Sequence, residues 1–267
     1  MTSSSSPVLV EARGAALVVT LNRPDAKNAL SAELVGALQS ALDDAWKERR
    51  VRGVVLTGAG ADFCAGADLK ELQQATTKTH VENLAASRRL ADLFRAIHVG
   101  QKPVVAAVRG HALAGGAGLA CVCDRVVAAS DARFGFTEAR IGFVAAIVAR
   151  FLIERAGPRV ARDLLLTARR VDASEALALG LADELVAPDE PGGVVARAIA
   201  WIESLKPCAP LSLAATKLVL AGLAGKELAE GLDFAAEQNA KMRSQGDFAE
   251  GVAAFLEKRK PRWLAEP

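Results

Sequence analysis

Apolar positions along the chain follow two rhythms. Short runs rich in valine and leucine, at residues 8–10, 16–21, 53–57, 104–108 and 125–129, predict strands, with Arg13-Gly14 turning the first pair into a hairpin. Between them Leu34, Leu38, Leu42 and Trp46 recur on one helical face. Ser31 stands as the N-cap of that helix, with Glu33 in its first turn. A second helix begins near Val81 with Leu84, Leu90, Leu93, Phe94 and Ile97 roughly in phase, and it stops by Gly100 and Pro103. The run 104–108 is apolar at every position, which predicts a strand covered on both faces. It leads through Gly115, Gly116 and Gly118 into a buried helix.

Residues 132–136 predict a short extended piece. A helix is expected over 143–155, broken by Gly157-Pro158 and resuming over 159–167. Asp172 with Glu175 resembles a capping box, Gly180 closes the helix that follows, and 184–186 predicts a last strand. After Pro188-Asp-Glu-Pro-Gly-Gly193 the pattern is helical only, over about 194–205, 210–222, 226–244 and 247–258. The expectation is therefore an α/β core over 1–195 followed by a helical region over 196–267, without an exact sequence repeat.

Composition narrows the class. The 267 residues are 51% hydrophobic, ample for a sizeable core, and the net charge of +2 shows no commitment to nucleic acid or membrane. Basic residues are interspersed with acidic ones, which offers no long basic stripe, and no apolar run reaches membrane-spanning length. Cys64, Cys121, Cys123 and Cys208 lack metal-ligand spacing and are expected to be core thiols. The segment Met1-Thr-Ser-Ser-Ser-Ser-Pro7 has neither an apolar signal core nor a basic flank, and a reducing cytoplasm is the expected location.

Two stretches carry candidate chemistry. The loop 58–68 is too long and too glycine-rich for a simple turn, and Asp68 followed by Glu71 reads as the cap of the next helix. The helix opening at Gly115 presents unpaired N–H groups, which suit a negatively polarised oxygen. His111 reads as a structural residue at a strand end.

Six stretches, in order, resemble the crotonase (enoyl-CoA hydratase/isomerase) superfamily over essentially the whole chain. They are Asn22-Arg-Pro-Asp-Ala-Lys-Asn-Ala-Leu30, Val55-Leu-Thr-Gly with Phe63-Cys-Ala-Gly-Ala-Asp-Leu-Lys-Glu-Leu72, Lys102-Pro-Val-Val-Ala-Ala-Val-Arg-Gly110, Ala114-Gly-Gly-Ala-Gly with Cys123-Asp124, Phe134-Gly-Phe-Thr-Glu-Ala-Arg-Ile-Gly142, and Ala173-Ser-Glu-Ala-Leu-Ala-Leu-Gly-Leu181. The resemblance implies a spiral of strand–strand–helix turns, a C-terminal helical part used for assembly into trimers or dimers of trimers, and an acyl-CoA thioester substrate. It implies no cofactor, coenzyme A being part of the substrate, and no metal. Matched residue by residue, the two backbone N–H groups that hold the thioester oxygen fall on Ala67 and Gly115.

The family's hydratases usually carry two glutamates, and here only one is present. Glu138 matches the second, while Gly118 stands at the place of the first. Glu138 sits among apolar Phe134, Phe136 and Ile141, and a single carboxylate there can take a proton from water and return it to the α-carbon. The same resemblance implies substrate contacts at Lys27, Ala65, Asp68, Leu69 and Lys70. It implies others at Gly116, Gly118, Arg140 and Lys258, the last toward the nucleotide phosphates of coenzyme A.

Glycine at 118 is expected to leave an unfilled space for a 3-branched or longer acyl group. In this the chain resembles the single-glutamate methylglutaconyl-CoA hydratase-like subgroup, and Arg140, Lys70, Arg88 and Arg89 are candidate partners for a substrate carboxylate. The sequence also departs from the family at Gly142-Phe-Val-Ala-Ala146, where many members have a proline near Ala145. Hydration of an enoyl-CoA, or the reverse dehydration, is the expected reaction. An enoyl-CoA isomerase using the single glutamate is the alternative, and a non-catalytic or RNA-binding scaffold of the same fold is a third class.

Overall fold

The structure is a computed structural model in which residues 6–265 are described; the Met1–Ser5 part of the amino-terminal segment lies outside them. Strands β1 (Val8–Arg13) and β2 (Ala16–Leu21) form an antiparallel hairpin about Gly14, whose φ of 60° suits glycine. Helix α1 (Ala32–Lys47) follows, and the Ser31 hydroxyl accepts the Leu34 N–H at 3.2 Å. Its Leu34, Leu38 and Leu42 are buried at the predicted spacing, and β3 (Gly53–Gly58) then runs parallel to β2.

Helix α2 (Leu69–Ala75) is capped by Asp68, and α3 (His80–His98) opens on a Thr79–Glu82 capping box. Then come β4 (Val104–Val108), β5 (His111–Leu113), α4 (Gly115–Cys121), β6 (Arg125–Ala129) and β7 (Arg133–Gly135). A 3-10 turn, Glu138–Ile141, precedes α5 (Ala146–Thr167), as another, Pro24–Ala26, precedes α1. The order closes with β8 (Arg170–Asp172), α6 (Ala173–Ala178), β9 (Glu184–Val186), α7 (Gly193–Ser204), α8 (Pro210–Leu223), α9 (Leu228–Arg243), α10 (Gly246–Leu256) and α11 (Arg262–Ala265).

Six strands form the main sheet in the order β1-β2-β3-β4-β6-β9, parallel except for the first pair. Alternation along the strands feeds two cores. Val54, Leu56, Val104, Ala106 and Val108 pack under α1, α3 and α4, whereas Val55, Val105 and Ala107 pack under Val194, Ala198 and Ile202 of α7. The division expected at residue 195 falls inside α7, which covers the sheet's second face. A smaller sheet, β5-β7-β8, lies apart from the first and carries the segments on either side of the candidate site.

Two expectations are corrected. The helix expected from 143 begins at Ala146, because the Phe143 N–H closes the turn onto the Glu138 carbonyl at 3.0 Å instead of entering a helix. The break expected at Gly157-Pro158 is present, with Gly157 at φ 82° and ψ 163° separating the two helical segments. Cys64, Cys121 and Cys123 are buried as expected, but Cys208 is exposed after α7. Burial pushes the Cys64 and Cys123 thiols up to about 12 and that of Cys121 to about 11, so they stay protonated at neutral pH. No helix among the described residues is long and apolar enough to cross a membrane.

Candidate active site

The glycine-rich loop 58–68 is held as a ribbon between two other backbone segments. On one side Phe63 N–H donates to Arg109 O at 2.9 Å, Cys64 N–H to His111 O at 3.0 Å, and Leu113 N–H to Cys64 O at 2.9 Å. On the other side Ala65 N–H donates to Lys27 O at 2.9 Å, Leu30 N–H to Gly66 O at 2.7 Å, and Asp68 N–H to Leu30 O at 3.2 Å. Leu30 thus takes the groups flanking Ala67, so the N–H of Ala67 itself faces away from Leu30. It has no acceptor among the described residues.

The backbones come close enough that side chains are excluded. A β-carbon on Gly116 would overlap the Cys64 carbonyl oxygen, and one on Gly66 would stand 2.7 Å from the Ala114 β-carbon. A β-carbon on Gly115 would lie 3.9 Å from the Ala67 nitrogen, which brings the Ala67 N–H to the start of α4. There the first-turn N–H groups have no partner within the helix. Ala114, the cap residue, holds φ 49° and ψ −125°, a conformation that costs an L-residue energy, while its own N–H donates to Gly135 O at 2.7 Å.

That bond ties the helix start to the strand that delivers Glu138. Leu113 on β5 pairs with Gly135 on β7, and three residues later Glu138 enters the 3-10 turn. Its side chain is 8% exposed, and Oε2 is buried without a hydrogen-bond partner. Burial raises its pKa above the ordinary glutamate value, the hydrogen bond from its own backbone offsetting only part. Phe134 and Phe136 are buried beside it, but Ile141, expected in the same apolar wall, is 61% exposed.

The other sequence-predicted residues fall into three groups. Ala65 and Gly116 belong to the ribbon and its close contact, and Asp68 is engaged at both carboxylate oxygens, capping α2 and pairing with Arg23 at 2.9 Å. Arg23 foremost, then the backbone N–H groups of Lys70 and Glu71, outweigh burial and hold the Asp68 carboxyl below its usual range. Lys27, Leu69, Lys70, Arg88, Arg89, Arg140 and Lys258 are exposed, which leaves each of the six cations open to an anionic partner.

Gly118 is a correction. No space is left there: a β-carbon would overlap Cγ2 of Val148 and stand 3.0 Å from its Cγ1. Helix α5 packs directly on α4 and its valine fills the place expected to admit a branched acyl group.

Sequence reasoning missed several residues that hold the ribbon. Asn28, fully buried at φ 55°, donates to Ala59 O at 2.9 Å and Asp62 O at 2.8 Å and accepts the Arg23 N–H at 2.9 Å. His111 stands at the start of β5, as expected, but its Nδ1 also meets Asp62 Oδ1 at 2.6 Å and its backbone N–H donates to the same oxygen at 3.0 Å. Burial works to raise the Asp62 carboxyl, and the His111 hydrogen bonds outweigh it, leaving the group below its ordinary value. Asn28 lies within the Asn22–Leu30 motif, yet the two carbonyls to which it donates are more than thirty positions away.

The enoyl-CoA hydratase/isomerase family pattern matches residues 11–266. The chain belongs to that family. It is 47% identical over 94% of its length to a Thermus thermophilus protein named "Putative enoyl-CoA hydratase", covering 98% of that protein. It is 33% identical to the (E)-benzylidenesuccinyl-CoA hydratase of Thauera aromatica, covering 96% of this chain and 98% of the other. Among solved structures, Pseudomonas aeruginosa AtuE is 39% identical and superposes with a TM-score of 0.88, over 97% of this chain and 99% of that one. The family is one of enzymes, and the fold is the α/β crotonase fold expected from the resemblance, with strand–helix repeats followed by C-terminal helices.

Proposed function

We propose that the protein is an enoyl-CoA hydratase, a carbon–oxygen lyase, in which Glu138 is the only acid–base residue and the N–H groups of Ala67 and Gly115 hold the thioester oxygen. The observation that carries this reading is the orphaned, buried Oε2 of Glu138, delivered by the strand paired with the one that leads into Gly115. The names of the relatives support the same reaction.

The chemistry balances on these groups. The Glu138 carboxylate removes a proton from water as the water oxygen bonds to the β-carbon, and the double-bond electrons move onto the thioester oxygen. Two preorganised N–H donors stabilise that enolate, and losing one of such a pair typically costs about 2.7–4 kcal/mol. Glu138 then returns its proton to the α-carbon on the same face, and the reverse sequence is dehydration. Burial suits both halves, since a pKa raised above the ordinary carboxylate value makes the same residue a stronger base and keeps its acid form closer at hand.

A 3-branched acyl group such as 3-methylglutaconyl is the finer reading. Its support is the loop Thr137-Glu-Ala-Arg-Ile-Gly142 with exposed Arg140, and Val148 removes the separate argument from room at Gly118. The lone carboxylate also favours a second reading, in which Glu138 moves a proton between the α- and γ-carbons of a 3-enoyl-CoA. Exposed Leu220, Leu228, Leu232, Phe255 and Leu256 on the C-terminal helices support assembly into a homotrimer or a dimer of trimers.

Incubation with crotonyl-CoA, 3-methylglutaconyl-CoA and a 3-enoyl-CoA separates these readings. Loss of the conjugated thioester absorbance from either of the first two supports the hydratase, and its appearance from the third supports the isomerase. Glu138→Gln is expected to abolish turnover, and normal turnover in that variant would refute the mechanism.

A further inference from the structure

Ala67 lies outside every helix and strand, so the direction of its N–H depends on what grips the residues on either side. The grip is a single bridge to Leu30, made through Gly66 and Asp68. A bridge of one residue pair is a weak hinge unless something beyond it fixes the twist.

Arg23 supplies that constraint. One guanidinium nitrogen donates to Ala29 O at 2.6 Å, immediately before Leu30, and another donates to Asp68 Oδ2 at 2.9 Å, immediately after Ala67. The planar fork therefore spans both strands of the bridge at the same level, a geometry a lysine ammonium does not reproduce. The fork is itself anchored, because Asn28 accepts the Arg23 N–H and Asn28 N–H donates to Arg23 O at 2.8 Å.

Capping of α2 does not require this contact. The cap uses Asp68 Oδ1, which accepts from Lys70 at 2.9 Å and Glu71 at 3.4 Å, whereas Arg23 binds the other oxygen. The pair is part-buried, with side chains 26% and 11% accessible, so its loss also costs stability, and the readout that separates positioning from folding is the state of the bound carbonyl.

We propose that Arg23, acting through Asp68, is a positioning residue that aims the Ala67 N–H at the thioester oxygen. The proposal rests on the assignment of Ala67 to the oxyanion hole, and it adds a residue whose effect reaches the strength of that donor beyond any effect on folding. Arg23 touches no reacting atom.

The test uses butyryl-CoA labelled with carbon-13 at the carbonyl, a saturated thioester that cannot be hydrated. Infrared difference spectra read the carbonyl stretch in the bound state, alongside kcat and KM for crotonyl-CoA. The wild-type protein is expected to lower the stretch relative to water. Arg23→Met and Asp68→Asn should each lose a large part of that shift and lower kcat about 10- to 100-fold with KM within about twofold, and the double variant should be no worse than either single one. Asp68→Asn keeps an oxygen at the cap, so it reports even where Arg23→Met does not fold. A wild-type shift retained in full by the folded variants, with kcat unchanged, refutes the positioning role and leaves the hole intact. No shift in the wild type with ligand bound refutes the hole itself, and the role of Arg23 falls with it.

Discussion

Val148 of α5 is seated on Gly118 of α4 so closely that any β-carbon at 118 would overlap its Cγ2. Both residues are buried, and these are the two helices on either side of the segment carrying Glu138. The absence of a side chain at 118 is thus a packing solution for two helices, and it does not leave a void.

Gly118→Ala is therefore expected to destabilise the protein by about 1–3 kcal/mol, the range for overpacking a filled core. Combining it with Val148→Ala should recover much of that loss, since the valine is the obstacle. Denaturant midpoints of the two single variants and the double variant check this. Equal losses with and without the valine would mean that the backbone, not Val148, sets the limit.

Ala114 adopts a positive φ with ψ near −125°, where the β-carbon has no comfortable place. Ala114→Gly removes the steric cost and is expected to stabilise by up to about 1 kcal/mol, the gain being reduced by the freedom glycine adds to the unfolded chain. Because the Ala114 N–H bond to Gly135 O needs no side chain, kcat should stay unchanged. A thermal melt and a steady-state assay decide it. A loss of kcat would show that the methyl group has a part in setting the helix start.

How much of this was visible in the sequence depended on the range of each interaction. Strand and helix periodicity placed most elements, and the Ser31, Asp68 and Asp172 caps are local hydrogen bonds made to the next turn. Strands β5 and β8 were not expected; they have three residues each, as do β7 and β9, so length alone does not separate them from the short strands that were legible. The Arg23–Asp68 pair spans 45 positions and the Val148 contact joins two helices, so neither has a sequence signature. Glu138 occupies an intermediate case. Its apolar neighbours Phe134 and Phe136 were legible and are buried, but only the three-dimensional packing shows Oε2 without a partner.

Lys217 of α8 is buried, and its ammonium donates to Asp124 Oδ2 at 2.5 Å, Ile97 O at 3.0 Å and Lys102 O at 3.2 Å. It joins the C-terminal helices to the core at the end of α4, where the same Asp124 oxygen accepts the Val104 N–H at 2.7 Å. Lys217→Met keeps the apolar stem but removes the cation from Asp124 and one donor from each of three acceptors, and a loss of roughly 3 kcal/mol is expected. Asp124 is partly exposed, which places the figure at the lower end for broken ion pairs. Chemical denaturation measures it, and a change below about 1 kcal/mol would show that water replaces the ammonium.

Glu138 should leave its mark on both activity and stability. Its pKa is raised in the folded state by burial, so the folded protein binds that proton more tightly than the unfolded chain does. The carboxyl group's contribution to stability is then fully present below the ordinary glutamate pKa and is lost as pH rises through the raised value. Glu138→Gln does not titrate. Its stability relative to wild type should therefore improve as pH increases across that window and level off above it, whatever constant offset the buried amide introduces. The acidic limb of the wild-type kcat/KM profile should fall in the same window, above the ordinary carboxylate range, because the ionised form accepts the proton from water. Denaturant unfolding of the two proteins from acid to neutral pH gives the stability difference, and initial rates over the same range give the limb. A stability difference that does not change with pH would mean that Glu138 titrates alike in the folded and unfolded states. The buried Oε2 would then have found a partner, most simply water, and its pKa could not be what adapts it to carrying the proton in both directions.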